Sequence, residues 1–133
     1  MSMMTDMMKS MGMPMTGKTM DLDMAQSCIE ACAAASQAAT MCADADLTEN
    51  MARCAAMCSN TADVATAMMR MMMRPNGYEA SVTMPMLEAC VAMGSACAAE
   101  CRMHSEMHDH CRICAMACDA MVAACSAMMA TMR

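Results

Sequence analysis

The chain has 133 residues, the length of one compact domain, with 8 Lys+Arg against 14 Asp+Glu and a formal charge of −6. That acidity argues against nucleic acid or an anionic membrane surface as partners. Met, Ala and Cys fill 68 of 133 positions, Leu, Ile and Val together only 9, and Tyr78 is the sole aromatic residue, so the core must be built from Met, Ala and Cys.

So few branched and aromatic residues ordinarily mark a disordered chain. Here 59 % of the residues are nevertheless hydrophobic, which leaves ample apolar material to bury. Ala and Met favour helices, whereas strands favour β-branched and aromatic residues. With 4 Gly and 3 Pro the chain has few places to turn, which argues against a loop-rich disulfide scaffold despite 12 Cys. No uninterrupted apolar run reaches the roughly 18–20 residues of a membrane span. No basic region followed by an apolar run marks a signal peptide.

Residues 1–20 form a Met-rich segment broken by Gly12, Pro14 and Gly17, so only residues 1–11 are expected to form a short helix. A first long helix is expected from Asp21 or Asp23, either of which can cap it, to about Ala43. Residues 44–47 read as a polar connection. Thr48 reads as the N-cap of a second helix, with Met51 at its third position, running to about Arg74 before Pro75, Asn76 and Gly77. Thr83 is expected to cap a third helix with Pro85 in its first turn, ending near Met103. Acidic Glu106 and Asp109 suit the start of a fourth helix running to about Thr131. Four helices of about 20–26 residues are about 30–39 Å long at 1.5 Å per residue. Short connections between them imply an all-α, antiparallel up-down-up-down four-helix bundle over residues 21–133, preceded by the Met-rich segment 1–20.

The cysteines fall in phase on these helices. They are Cys28, Cys32 and Cys42 on the first, and Cys54 and Cys58 on the second. Cys90, Cys97 and Cys101 are on the third, and Cys111, Cys114, Cys118 and Cys125 on the fourth. Nearly all intrahelical steps are 3, 4 or 7, which place the thiols on one face. Ala35, Ala39, Thr61, Ala65, Gly94 and Met121 continue those faces without a thiol. Twelve sulfurs are thus expected to line one tube.

Buried Cys can serve as a small hydrophobe, but twelve in phase with almost no Leu or Ile are poorly explained as packing. A disulfide between i and i+4 strains the helix, though cross-helix bridges remain open. Metal binding is the third reading. Cys-x-x-x-Cys recurs at Cys28/Cys32, Cys54/Cys58, Cys97/Cys101 and Cys114/Cys118. Zinc favours closed four-ligand cages, whereas Cu(I) is soft and is satisfied by few sulfur ligands, thioethers included. One proton lost per thiolate against one charge gained per Cu(I) keeps a filled core near neutral.

Residues 97–125 read CAAECRMHSEMHDHCRICAMACDAMVAAC. With His110, Cys111, Cys114, Ala115 and Cys118 spaced as His-Cys-x-x-Cys-Ala-x-x-Cys, this resembles the Cys-rich four-helix-bundle copper storage proteins of bacteria. CIEAC at 28–32 and MARCAAMC at 51–58 match in type, and the resemblance spans about residues 21–131. It implies storage of many Cu(I) ions per chain, usually in a homotetramer, to feed a copper enzyme or chaperone or to keep free copper low. Ala35, Ala39, Thr61 and Met121 stand where thiol-richer members carry Cys, which implies a lower capacity, on the order of one Cu(I) per cysteine.

Most helix-facing Met residues are expected to be flexible core filler. The run from Met1 to Met15 has no core of its own and resembles the Met motifs of copper-transport proteins, or else packs on the helices or on a second subunit. His104, His108 and His110 cluster at the turn between the third and fourth helices, with Met41, Met51, Met103 and Met107 expected at the same end. In the family, copper enters at an end lined by His and Met. Met41, Met51, His104 and His108 are therefore expected as first ligands at the mouth, against a reading as solvated side chains at a turn.

The expected function is storage or sequestration of Cu(I) with no catalysis. Nucleic acid and membrane are not expected as partners. The alternatives are a thiol–disulfide redox protein, a binder of another soft metal, or a plain helical oligomerisation module. Cys111-Arg112-Ile113-Cys114 is a CxxC, but without the βαβ context of redox motifs and without a following His for haem attachment. Reduced thiols fit the cytoplasm. A trimmed leader would instead make the protein periplasmic or otherwise exported.

Overall fold

The computed structural model describes residues 3–11 and 21–132, and among these the regular structure is entirely helical. A short helix, α1 (Met3–Ser10), precedes four long ones: α2 (Leu22–Thr48), α3 (Ala52–Met72), α4 (Ala80–Arg102) and α5 (Asp109–Met132). A 3₁₀ turn at Pro75–Gly77 lies between α3 and α4. The Met13, Met15 and Met20 part of the Met-rich segment, with its Gly12, Pro14 and Gly17 breaks, lies outside the described residues.

α2 packs on α3, α3 on α4, α4 on α5, and α5 back on α2, closing a ring. Pairings across the ring run in opposite chain order. Cys28 of α2 meets Cys125 of α5, while Cys42 meets Cys111. The small side chains on the inner faces allow this close approach. Gly94 shows it most directly: a Cβ there would stand 2.9 Å from both Met121 Cε and Val122 Cγ2 of α5.

Asp21 caps α2, its carboxylate accepting from the N–H groups of Asp23 and Met24 at 2.9 and 3.2 Å. The far end of α2 departs from the sequence reading. Residues 44–47 are helical, not a connection, and Thr48 is the last residue of α2 rather than a cap for α3. Its hydroxyl donates back to Ala45 O at 3.0 Å. The chain turns one step later, at Asn50, whose φ of 60° is left-handed. The Met51 N–H then reaches back to Asp46 O at 3.2 Å, sharing that carbonyl with the Glu49 N–H at 3.1 Å. Met51 is accordingly the residue before α3, not its third position.

Two other boundaries moved. α4 starts at Ala80, with Glu79 rather than Thr83 as the flanking residue, so Pro85 sits inside the helix instead of in its first turn. α5 starts at Asp109, because residues 103–108 form turns tied by His104 N–H to Cys101 O and His108 N–H to His104 O. The carboxylate of Asp109 accepts from Arg112 Nε at 3.0 Å, one turn on.

α4 and α5 are long and apolar enough to cross a membrane by length and composition. Much of that hydropathy comes from Cys, Ala and Met, and their cysteines are buried inside the ring. α1 lies against α2, where Thr5 donates its hydroxyl hydrogen to Gln26 Oε1 and Met8 is buried in the core.

Candidate metal centre

All twelve cysteines are buried, each no more than 1 % exposed, and none is in a disulfide. They come from four helices because the steps of 3, 4 and 7 keep each helix's thiols on the side turned to its neighbours. The sulfurs gather into two groups rather than the one continuous tube expected. Cys42, Cys54, Cys58, Cys97, Cys101, Cys111, Cys114 and Cys118 share one cluster. Cys28, Cys32, Cys90 and Cys125 share another with Met68, Met121 and Met128. Thiol-free positions interrupt the column: Ala35 and Ala39 on α2, Thr61 and Ala65 on α3, Gly94 on α4 and Met121 on α5 are all buried.

Within the group of eight, Cys58 is the hub. Its sulfur lies 4.0 Å from Cys54, 3.7 Å from Cys101, 3.8 Å from Cys97 and 3.9 Å from Cys114. Cys54 and Cys101 are 3.8 Å apart. In the smaller group Cys125 stands 3.7 Å from Cys28 and 4.0 Å from Cys32. Metal–thiolate bonds of about 2.3 Å let sulfurs up to about 4.6 Å apart share one ion. The sets Cys42/Cys54/Cys58/Cys101 and Cys58/Cys97/Cys101/Cys114 share members, so a sulfur can bridge neighbouring ions.

At one end of the larger group the donors change. Cys42, Asp46, His110 and Cys111 bring two sulfurs, a carboxylate and an imidazole within 4.8 Å of one another. His110 Nδ1 is 3.2 Å from Cys42 Sγ and 3.6 Å from Cys111 Sγ. Its Nε2 is 2.7 Å from Glu49 Oε1, and His108 Nδ1 is 2.9 Å from Glu49 Oε2. One carboxylate thus holds both imidazoles, whose centroids are 5.5 Å apart. The imidazole side chains are about a quarter exposed, while Asp46 is fully buried.

The electrostatics follow this layout. The nearby thiols of Cys101, Cys114 and Cys58, together with the His110 imidazole, hold the Cys42 thiol below its ordinary pKa. Burial opposes a charge on His110, but its contacts with Cys42 and Glu49 outweigh that and raise its pKa. Burial also raises the Asp46 carboxyl and the Cys111 thiol. Burial, with Asp46 beside it, pushes Cys54 up to about 12. Hydrogen bonding to Cys125 pushes Cys28 up to about 12. Burial and neighbouring thiols thus favour the protonated form through most of the core, while contacts with other sulfurs lower the pKa of Cys42 and likewise of Cys97 and Cys90.

The four mouth residues expected from the sequence are placed differently from one another. His108 joins His110 on Glu49. Met51 is partly buried against the eight-thiol cluster. His104 pairs with Glu100, Nε2 to Oε2 3.1 Å, and Glu100 also holds Arg53 at 3.1 Å. Met41 is 72 % exposed. The sequence reading did not count Asp46, Glu49 or His110 among the ligands. Asp46 was readable as Cys42-x-x-x-Asp46, one helical turn apart, had residues 44–47 not been taken for a connection.

A ring of helices around shared buried thiols defines a thiolate protein for soft metal ions. The copper storage protein family model matches residues 17–130, and the chain belongs to that family. The chain is similar to the copper storage protein Ccsp of Streptomyces lividans loaded with 10 copper equivalents, at 36 % identity and a TM-score of 0.89, over 96 % of this chain and 98 % of that one. The cytosolic copper storage protein of Streptomyces lividans carrying five coppers is 39 % identical with a TM-score of 0.78, over 81 % of this chain and 93 % of that one. Comparison with the curated proteins gives no match.

Proposed function

We propose that the chain is a non-enzymatic store that holds several Cu(I) ions on the thiolates of Cys28, Cys32, Cys42, Cys54, Cys58, Cys90, Cys97, Cys101, Cys111, Cys114, Cys118 and Cys125. The observation that carries this is the shared sulfur set around Cys58, with four thiols within 4.0 Å of it. Such a set accepts ions that bridge, and each ion replaces a proton, so filling adds no net charge to the core.

The reading extends to the architecture. Residues 21–133 act as the metal-binding domain, an up-down-up-down four-helix bundle, with residues 1–20 as a separate Met-rich segment. The closed ring of contacts and the opposite chain order of the Cys28–Cys125 and Cys42–Cys111 pairs support it. Met41, Met51, His104 and His108 act with His110 at the mouth. Leu in place of Met41 and Met51 then slows copper loading, and an unchanged rate removes them from the path. The protein works in the cytosol, in keeping with the similar protein described as cytosolic and with thiols that must stay reduced. It assembles as a homotetramer, supported by exposed apolar side chains such as Ile113 and Met116, and passes copper to a chaperone or copper enzyme.

The test is an anaerobic titration of the reduced protein with Cu(I) against a chromogenic Cu(I) chelator. Uptake of several ions per chain, approaching the thiol count, is expected. Uptake of one ion or none overturns the proposal.

A further inference from the structure

Every apolar side chain of α1 and the residue after it is a thioether: Met3, Met4, Met7, Met8 and Met11. Packing on the ring uses only part of this set. Met8 is 5 % exposed in the core, and Met4 is partly buried against it. Met3, Met7 and Met11, one helical turn apart, are 84, 56 and 41 % exposed. They do not face empty solvent alone. With Met72 and Met73 at the end of α3, and with Pro75, they line an open cavity of about 340 Å³. A neighbouring hollow of about 500 Å³ shares Met11, Met72 and Met73. A helix that merely docked on the ring would bury its apolar residues and leave polar ones around the rim.

We propose that this cavity is a second Cu(I) site, formed by the thioethers of Met3, Met7 and Met11 with Met73, separate from the thiol groups. The proposal rests on the reading that Cu(I) is the cargo of the core. Thioethers are soft, neutral donors that suit Cu(I) and offer little to Zn²⁺, Mg²⁺ or Ca²⁺. They also carry no proton. A thiolate site must lose a proton to bind, so its affinity depends on pH, whereas a thioether site binds without proton release. An uncompensated +1 charge beside apolar walls makes the site weak and its ion easily exchanged, as befits a place of temporary holding.

The test uses the full-length reduced protein and its M3L/M7L/M11L variant. Leu keeps the volume and apolarity of Met and removes the sulfur. Cu(I) is added anaerobically while bound copper and released protons are both counted. Methionine methyl groups carry ¹³C so that each thioether can be followed by NMR. The expected result is a late equivalent that binds without proton release, shifts the Met3, Met7 and Met11 methyl signals, and is withdrawn by a weak chelator. In M3L/M7L/M11L that equivalent is lost and the proton-coupled equivalents are unchanged. Absence of the late equivalent, or its survival in the variant, overturns the second site. Loss of the proton-coupled equivalents in the parent protein would instead overturn the storage reading.

Discussion

His110 Nδ1 stands 3.2 Å from the sulfur of Cys42, and its Nε2 stands 2.7 Å from Glu49. The imidazole is thereby held between a thiol whose pKa is lowered and a carboxylate that favours the charged ring. A copper ion reaching this end of the larger thiol group meets a nitrogen donor and two sulfurs together, with the remaining thiols beyond.

Replacing His110 with Ala removes that donor and one of the groups that lower the pKa of Cys42. The rate of copper uptake from a chelated Cu(I) donor should fall several-fold, while the final capacity changes by no more than about one ion, as bridging thiolates supply the other ligands. Stopped-flow absorbance of the released chelator measures both. An unchanged rate would show that copper reaches the thiols elsewhere.

Capacity should depend unequally on the cysteines. Cys58 contacts four other sulfurs, whereas Cys28 meets Cys125 in the smaller group. Cys58→Ala should therefore lose more than one Cu(I), roughly two, because each bridging thiolate serves more than one ion. Cys28→Ala should lose about one. Equal losses in the anaerobic titration would count against a bridged cluster and in favour of independent sites.

The metal-free protein should be sensitive to alkali. Cys28 and Cys54 have thiols raised to about 12 by hydrogen bonding to Cys125 and by burial, respectively, against an ordinary value of 9.0. Between these values the folded chain binds more protons than the unfolded one, so stability falls as pH rises. The contribution is complete below about pH 9 and is lost towards pH 12. Urea melts followed by helical circular dichroism under reducing conditions should show this. The copper-filled protein should show a much weaker dependence, since its thiols have already given up their protons.

Gly94→Ala tests the closeness of α4 and α5. Ala has the higher helix propensity by about 1 kcal/mol. Its methyl group would lie 2.9 Å from Met121 Cε, which can move, and from Val122 Cγ2, which is stiff. Overpacking costs about 1–3 kcal/mol. A net loss of about 1 kcal/mol is expected in the same urea melts, and a gain would mean that the two helices separate freely.

The spacing of the cysteines was enough to place twelve thiols on the inner faces of four helices, because a step of 3, 4 or 7 returns to one side of a helix whatever surrounds it. The scarcity of Leu and Val and the absence of Phe likewise made helices the only economical way to build a core. Donor type was also legible, since Cys and Met together favour a soft ion. Which thiols touch was not legible. The split into groups of eight and four arises where thiol-free residues on different helices meet at one level, and helix-to-helix register is not written in any one helix. The mouth was decided in the same way. Asp46 looks like part of a polar connection until Asn50 delays the turn and the buried ring closes over it. Glu49 matters only because the turns at 49–51 and 103–108 bring it to His108 and His110. Local periodicity determined the face of each helix, and packing between helices, which no single segment encodes, decided which donors share an ion.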